Sequence, residues 1–182
     1  MEGMKPDEAV DAALFRRLVT PHADAAWNLA RWLLRRPHDA DDVMQESYLR
    51  AFRFIGDYRG GDAKSWFLAI VRNCCHDAIK QSLTHRAAAI DERADMIESD
   101  AISPPEALDR RAREESLRRA IDLLPVEYRE VLILREFESL SYKQIAEIAG
   151  VPMGTVMSRL ARAREKLVTS LAPEFAPEGG SR

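Results

Sequence analysis

The chain has 182 residues, with 27 Lys and Arg against 30 Asp and Glu, for a net charge of −3. That length allows one domain or two small ones, and that charge excludes a uniformly basic nucleic-acid coat, so any DNA contact must come from local patches. Only eight glycines and few β-branched runs favour an all-α fold.

No apolar run reaches the length of a membrane span and no signal-peptide pattern opens the chain, so a cytoplasmic protein without membrane insertion is expected. The two cysteines, Cys74 and Cys75, are adjacent. Neighbouring cysteines pair only under strain, and as free thiols they behave mostly as small hydrophobes. The four histidines (His22, His38, His76 and His85) have no H-E-x-x-H or C-x-x-C companion, so no metal and no cofactor is expected. Nothing resembles a catalytic constellation or a phosphate loop, which argues against an enzyme.

Residues 1–7 read as disordered. Periodicity predicts a helix over 7–20 with Val10, Leu14, Phe15 and Leu18 inward, ended by Pro21. A second, over 23–35, is rich in Ala, Leu and Trp; Trp27 and Leu34 read as core. Asp39 is the expected N-cap of a third helix over 40–54, with acids in its first turn. Met44, Tyr48, Ala51 and Ile55 form its inward stripe. Asp42, Gln45, Glu46 and Leu49 form a second stripe, polar and acidic with one exposed leucine. That face is either solvated or a dock for a basic partner helix.

A glycine-rich, partly basic loop follows, from Gly56 through Tyr58, Arg59 and Lys64. The helix predicted over 65–81 has a wide core stripe of Phe67, Ile70, Val71, Cys74, Cys75, Ala78 and Ile79. Its opposite face carries Asn73, His76, Asp77 and Lys80, with Arg72 at the margin. An aromatic, basic loop ahead of such a helix suits unstacked single-stranded bases, and it also suits a plain connector. From 83 the periodicity fades into an acidic stretch broken by Ser103-Pro104-Pro105, which reads as a linker, with some helix over 86–93.

Helix is predicted again over 106–124, and Pro125 opens another over 126–137 that buries Val131, Leu132 and Leu134. Ser141 and Gln144 have the spacing of a capping box, so a short helix starts at Tyr142 and ends at Gly150. A final helix begins near Met153 or Gly154 with Val156, Leu160, Ala163 and Leu167 inward. Its outer faces carry Met157, Ser158, Arg159, Ala161, Arg162, Arg164 and Lys166. Two helices joined by a tight glycine turn, the second basic outside, read as a DNA-binding helix-turn-helix or as an ordinary helical hairpin. The tail, 172–182, reads as flexible.

Four blocks together carry a resemblance: Asp39-Ala-Asp-Asp-Val-Met-Gln-Glu-Ser-Tyr-Leu; Trp66 to Asn73 with Asp77; Leu124-Pro-Val-Glu-Tyr-Arg-Glu-Val-Leu-Ile-Leu-Arg-Glu; and Ser141 to Leu160. In this order and spacing they resemble the bacterial sigma-70 family, above all its small extracytoplasmic-function members. The resemblance implies two helical domains, region 2 over 8–82 and region 4 over 105–171, joined by a linker over 83–104. It implies a transcription-initiation factor, regulated by an anti-sigma factor in a stress or envelope response, whose partners are promoter DNA and the β′ clamp helices and β flap of core RNA polymerase.

By position, Asp42, Gln45, Glu46 and Leu49 would meet the polymerase. Tyr58, Arg59, Lys64, Arg72, Asn73, His76 and Lys80 would open the −10 element and hold a flipped base, recovering its lost stacking. Arg135, Gly154, Thr155, Met157, Ser158, Arg159 and Arg162 would read the −35 element. The acids between Asp91 and Glu106 would imitate nucleic acid inside the polymerase. Family members often carry Lys or Arg at the Met157 position; a thioether cannot donate to guanine but can touch a thymine methyl. The competing readings are a dimeric helix-turn-helix regulator that never docks on polymerase, and a thiol switch at Cys74 and Cys75.

Overall fold

The structure is a computed structural model that describes residues 6–34, 36–88 and 105–175. Among the described residues the secondary structure is helical throughout, with no strand. The order is α1 (Pro6–Leu18), a 3-10 turn (Thr20–His22), α2 (Ala23–Leu33), α3 (Pro37–Phe54), a second 3-10 turn (Ile55–Asp57), α4 (Ala63–Ala88), α5 (Pro105–Asp122), α6 (Val126–Glu136), α7 (Tyr142–Ala149) and α8 (Met153–Phe175). The all-α expectation holds. The acidic stretch 89–104, residues 1–5, Arg35 and the tail 176–182 lie outside the described residues, and with them most of the expected linker.

The first lobe packs α1 to α3 around α4, whose Phe67, Leu68, Val71, Cys74 and Cys75 are at most 3% exposed. They meet Leu29 and Leu33 of α2 and Met44 and Ala51 of α3 in one apolar cluster. Tyr48 stacks on Phe67 at 5.8 Å, and Phe15 of α1 lies edge-on to Tyr48 at 6.1 Å. Val10 departs from its expected inward place: it is 59% exposed. It lies more than a turn before Phe15, where α1 has not yet reached the rings of α3.

Asp39 does not cap α3. Pro37 presets the helical φ, so the helix starts earlier with Arg36 as N-cap, and Asp39 joins the first turn, where the helix dipole favours its charge. Asp62 instead caps α4, accepting from the Lys64 backbone N–H at 3.0 Å and from the Ser65 hydroxyl at 2.6 Å. α4 outlasts its expected end at 81 because nothing in 82–88 breaks a helix already nucleated.

The second lobe is α5 to α8. The capping box at Ser141 forms as expected: the Gln144 N–H donates to the Ser141 hydroxyl and the Ser141 N–H donates to the Gln144 side chain. Gly150 ends α7 at φ +65°, a left-handed conformation that favours glycine. Val156, Leu160 and Ala163 are at most 1% exposed and close the inner face of α8. The helix runs on to Phe175, past the flexible tail expected from residue 172.

The two lobes are not apart. α2 lies against α6 and α4 against α7, and residues of both lobes share a single buried cluster. Their rim carries Trp32 against Phe137 at 5.3 Å, with the Arg118 guanidinium over the Trp32 ring at 5.3 Å. The outer face of α4, expected to meet single-stranded bases, is partly covered by the second lobe: Asn73 and Lys80 are exposed, whereas His76 is half-buried against Glu130 of α6.

Candidate polymerase and promoter surfaces

Three surfaces carry the predicted residues. On α3, Asp42, Gln45, Glu46 and Leu49 all point to solvent, and Leu49 is 63% exposed. An exposed leucine among carboxylates has no packing reason to be there. Glu46 accepts from Arg50 Nε at 2.6 Å, and Arg50 reaches on to Asp77 of α4 at 3.0 Å. Hydrogen bonds to Glu46 and then Asp77 hold Arg50 firmly protonated and fix the stripe to the lobe.

The second surface is the loop before α4 and the outer face of α4. Tyr58 turns back, its hydroxyl donating to the Gly61 carbonyl at 2.6 Å while its ring meets Trp66 edge-on at 5.4 Å. Arg59, Asn73 and Lys80 are exposed. Lys64, Arg72 and His76 are not free. Arg72 Nε and His76 Nε2 each hold one oxygen of Glu130 from α6, at 2.9 and 2.8 Å, and Glu130 is 0% exposed. Arg72 also donates to the Asn73 side chain at 3.2 Å. Lys64 Nζ pairs with the Glu138 carboxylate at 3.0 Å and donates to its carbonyl at 3.1 Å, and Asn28 donates to the same carboxylate at 2.8 Å.

The third surface is α8. Gly154, Met157, Ser158 and Arg162 are exposed, and Thr155 and Arg159 are half-buried. The Ser158 hydroxyl donates to the Thr155 carbonyl at 3.0 Å, and Arg162 lies 3.3 Å from Glu165. Arg135 stands apart from this row. It donates to the Leu140 carbonyl at 2.7 Å and lies over the Tyr142 ring at 5.1 Å, so it braces the turn into α7. Arg164, beside the predicted set, pairs with Glu136 at 2.7 Å.

Sequence reasoning missed Glu130, Glu138, Asp62 and Gln144 as functional partners. One signal was present for Glu130. It falls on an apolar stripe with Val126, Ile133, Leu134 and Phe137, and a carboxylate there needs a cation from another element.

Gln144 of α7 donates to Asp62 at 2.6 Å across the lobes. Burial would raise the Asp62 pKa, but hydrogen bonds from Ser65, Gln144 and the Ser65 and Lys64 N–H groups outweigh it and hold the carboxyl below its ordinary value. A depressed folded pKa contributes stability above the unfolded value and loses it as pH falls through the folded one. Urea midpoints taken from about pH 5 to pH 3, across the ordinary carboxylate range, should therefore fall more steeply for the wild type than for Asp62→Asn. Parallel curves would remove Asp62 from the acid response.

Burial pushes the Cys74 thiol up, and pushes that of Cys75 up to about 12. Buried thiols that stay protonated at neutral pH make poor nucleophiles, which weighs against a switch at this pair. Among the described residues no group of three or more His, Cys, Asp or Glu is placed to hold a metal ion. No helix there is long and apolar enough to cross a membrane.

Comparison with known proteins points to one family. Residues 18–83 match the family described as Sigma-70 region 2, and residues 114–167 match Sigma-70, region 4. The chain is 34% identical over 155 residues to the ECF RNA polymerase sigma factor SigE of Mycolicibacterium smegmatis, spanning 85% of this chain and 60% of that longer one. It is 33% identical over 171 residues to the RNA polymerase sigma-H factor of Pseudomonas aeruginosa, covering 90% of this chain and 89% of that one. SigM of Mycobacterium tuberculosis, another ECF RNA polymerase sigma factor, is 34% identical over 167 residues, 90% of this chain and 80% of its own length.

The fold matches the sigma factor RpoE solved with the anti-sigma factor NepR from Bartonella quintana, at TM-score 0.69 and 22% identity over 87% of this chain and 96% of that one. It also matches CnrH, solved with the cytosolic domain of CnrY, at TM-score 0.60 and 23% identity over 89% of each. With both regions matched in order and relatives aligned over most of their length, the chain belongs to the sigma-70 family, among its extracytoplasmic-function RNA polymerase sigma factors.

Proposed function

We propose that this chain is a non-enzymatic initiation subunit that works in the cytoplasm, docking on core RNA polymerase and selecting promoters. The observation that carries the reading is the α3 stripe, where Asp42, Gln45, Glu46 and Leu49 are all exposed. A DNA-binding regulator that never meets polymerase has no use for that face. The stripe meets the clamp helices of β′: carboxylates set register and encounter rate, and the leucine supplies the desolvated contact. Residues 8–82 form the docking and −10 unit, residues 105–171 the −35 unit, and residues 83–104 the connection between them.

On the first unit, Tyr58, Arg59, Lys64, Arg72, Asn73, His76 and Lys80 receive the opened −10 strand. A flipped base costs a few kcal/mol of stacking, recovered by the aromatic ring, the Asn73 amide and the cations. On the second, α8 enters the major groove by its N-terminal turns. Gly154 lets the backbone approach, Thr155, Met157 and Ser158 face base edges, and Arg159 and Arg162 meet phosphates. Arg135 acts by holding α6 to α7 and reaches the −35 backbone from there. An anti-sigma factor, the kind of partner solved with the structural neighbour RpoE, controls access to these surfaces.

Run-off transcription with core polymerase lacking any initiation subunit, over a genomic promoter pool, tests the whole reading. The expected result is RNA starting at defined sites. Absence of any defined start, in a preparation free of sequestering protein, overturns it. Arg162→Ala should weaken −35 duplex binding and reduce the slope of log K against log salt by about one unit. An unchanged slope would take Arg162 off the phosphate.

A further inference from the structure

The outside of α8 is divided into two strips. Met153, Met157 and Ala161 follow one another at every fourth residue, with Gly154 and Ser158 one step round the helix, and all five are exposed. Met153 is 52% and Met157 51% exposed. The next strip round carries three cations, Arg159, Arg162 and Lys166.

The first strip has no charge and no side-chain hydrogen to spare. Its one polar side chain is Ser158, whose hydroxyl already donates to the Thr155 carbonyl at 3.0 Å and is left to accept. Packing does not account for the two methionines either. Val156, Leu160 and Ala163 fill the inner face of α8, and a second apolar strip on the outside has nothing of this lobe to cover.

The neighbouring cations say what covers it. A row of positive charge along one edge of a helix suits a phosphate backbone, and a helix pinned there turns the adjoining strip toward the floor of the major groove. Each base shows a different edge in that groove. Guanine offers only acceptors, N7 and O6, which this strip cannot satisfy. Thymine offers its C5-methyl, an apolar group on which an unbranched, polarisable thioether can settle.

We infer that Met157, with Met153 beside it, reads the C5-methyl of a thymine, so that the duplex this chain selects is specified in part by a methyl group rather than by a hydrogen bond. This rests on the proposed entry of α8 into the major groove. Contact takes the thioether and the methyl out of water together. Deoxyuridine in place of thymidine keeps every hydrogen bond of the base pair and removes the methyl alone, so it isolates this term.

The test begins with selection from a pool of duplexes carrying a randomised block, run with the full chain alone and with the full chain on core polymerase. Each thymidine of the enriched duplex is then replaced in turn by deoxyuridine. At one of them the exchange should weaken wild-type binding about fourfold, the worth of one methyl group taken out of water. Met157→Ala should weaken binding to the thymidine duplex by a similar factor and be indifferent to the exchange at that position. Met157→Leu, which keeps an apolar side chain, should stay sensitive to it. At the same position 5-methylcytosine should bind the wild type more tightly than cytosine does.

The inference is overturned if neither selection enriches a sequence, if no thymidine methyl matters to the wild type, or if Met157→Ala keeps the full sensitivity. Failure of the proposed function has another signature: the chain would select a methyl-dependent duplex and yet start no RNA from it with core polymerase.

Discussion

Reversing both carboxylates of the α3 stripe, Asp42→Arg with Glu46→Arg, should abolish binding to core polymerase while the chain stays folded. Close charge pairs at protein interfaces carry coupling energies of about 1.5 kcal/mol upward, and reversal replaces attraction with repulsion. Two reversals together should weaken binding on the order of 100-fold or more. The folded state has little to lose. Both side chains are exposed, and the one internal contact affected, Glu46 with Arg50, belongs to a class worth about 1 kcal/mol or less. Arg50 keeps Asp77 at 3.0 Å, so no cation is stranded. Titration of labelled polymerase reads the affinity, and a urea curve checks the fold. Wild-type affinity in the double reversal would remove α3 from the docking surface.

That stripe could be read from the sequence because it breaks a rule. A leucine at i+7 on an acidic helical face does not fit burial and does not fit solvation. The helix-turn-helix was legible for a similar reason, since Ser141 with Gln144, then Gly150, then Pro152 punctuate the chain locally. Both signals are local, each confined to a dozen residues or fewer. Asp39 misled for a local reason as well: a good capping residue lost to Pro37 two positions earlier, which starts the helix by its fixed φ.

What could not be read is the seam between the lobes. Arg72 meets Glu130 across 58 residues of chain and Gln144 meets Asp62 across 82. No helical period reports such a pairing. The outer face of α4 carries Asn73, His76, Asp77 and Lys80, a composition equally suited to water, to DNA or to an acidic helix from elsewhere. Only tertiary packing chooses among them, and it covers His76 while leaving Asn73 and Lys80 exposed. Glu130 was the available hint, because a carboxylate on an apolar stripe must be paired or be expelled.

The second large effect is expected at Phe67, whose ring is fully buried and stacked on Tyr48. Phe67→Ala removes the largest fully buried side chain of the first lobe and should cost about 3–5 kcal/mol, the transfer free energy of the ring together with the cavity left behind. The informative part is where the loss appears. The buried cluster runs from Phe67 through Leu29 and Leu33 to Ile133 and Leu134 of α6 without a gap between lobes. Unfolding should then be one transition, and a defect in α4 should loosen α6. In a Trp32→Phe background, which removes the tryptophan that touches Phe137 of the second lobe, fluorescence of Trp27 and Trp66 reports the first lobe. Amide exchange at Ile133 reports the second. With both glutamates intact, Phe67→Ala should lower both together. In the Glu130→Gln, Glu138→Gln background the two should separate, with Ile133 keeping its protection while the tryptophan midpoint falls. If Ile133 is indifferent to Phe67→Ala even with both glutamates intact, the two lobes do not unfold as one core.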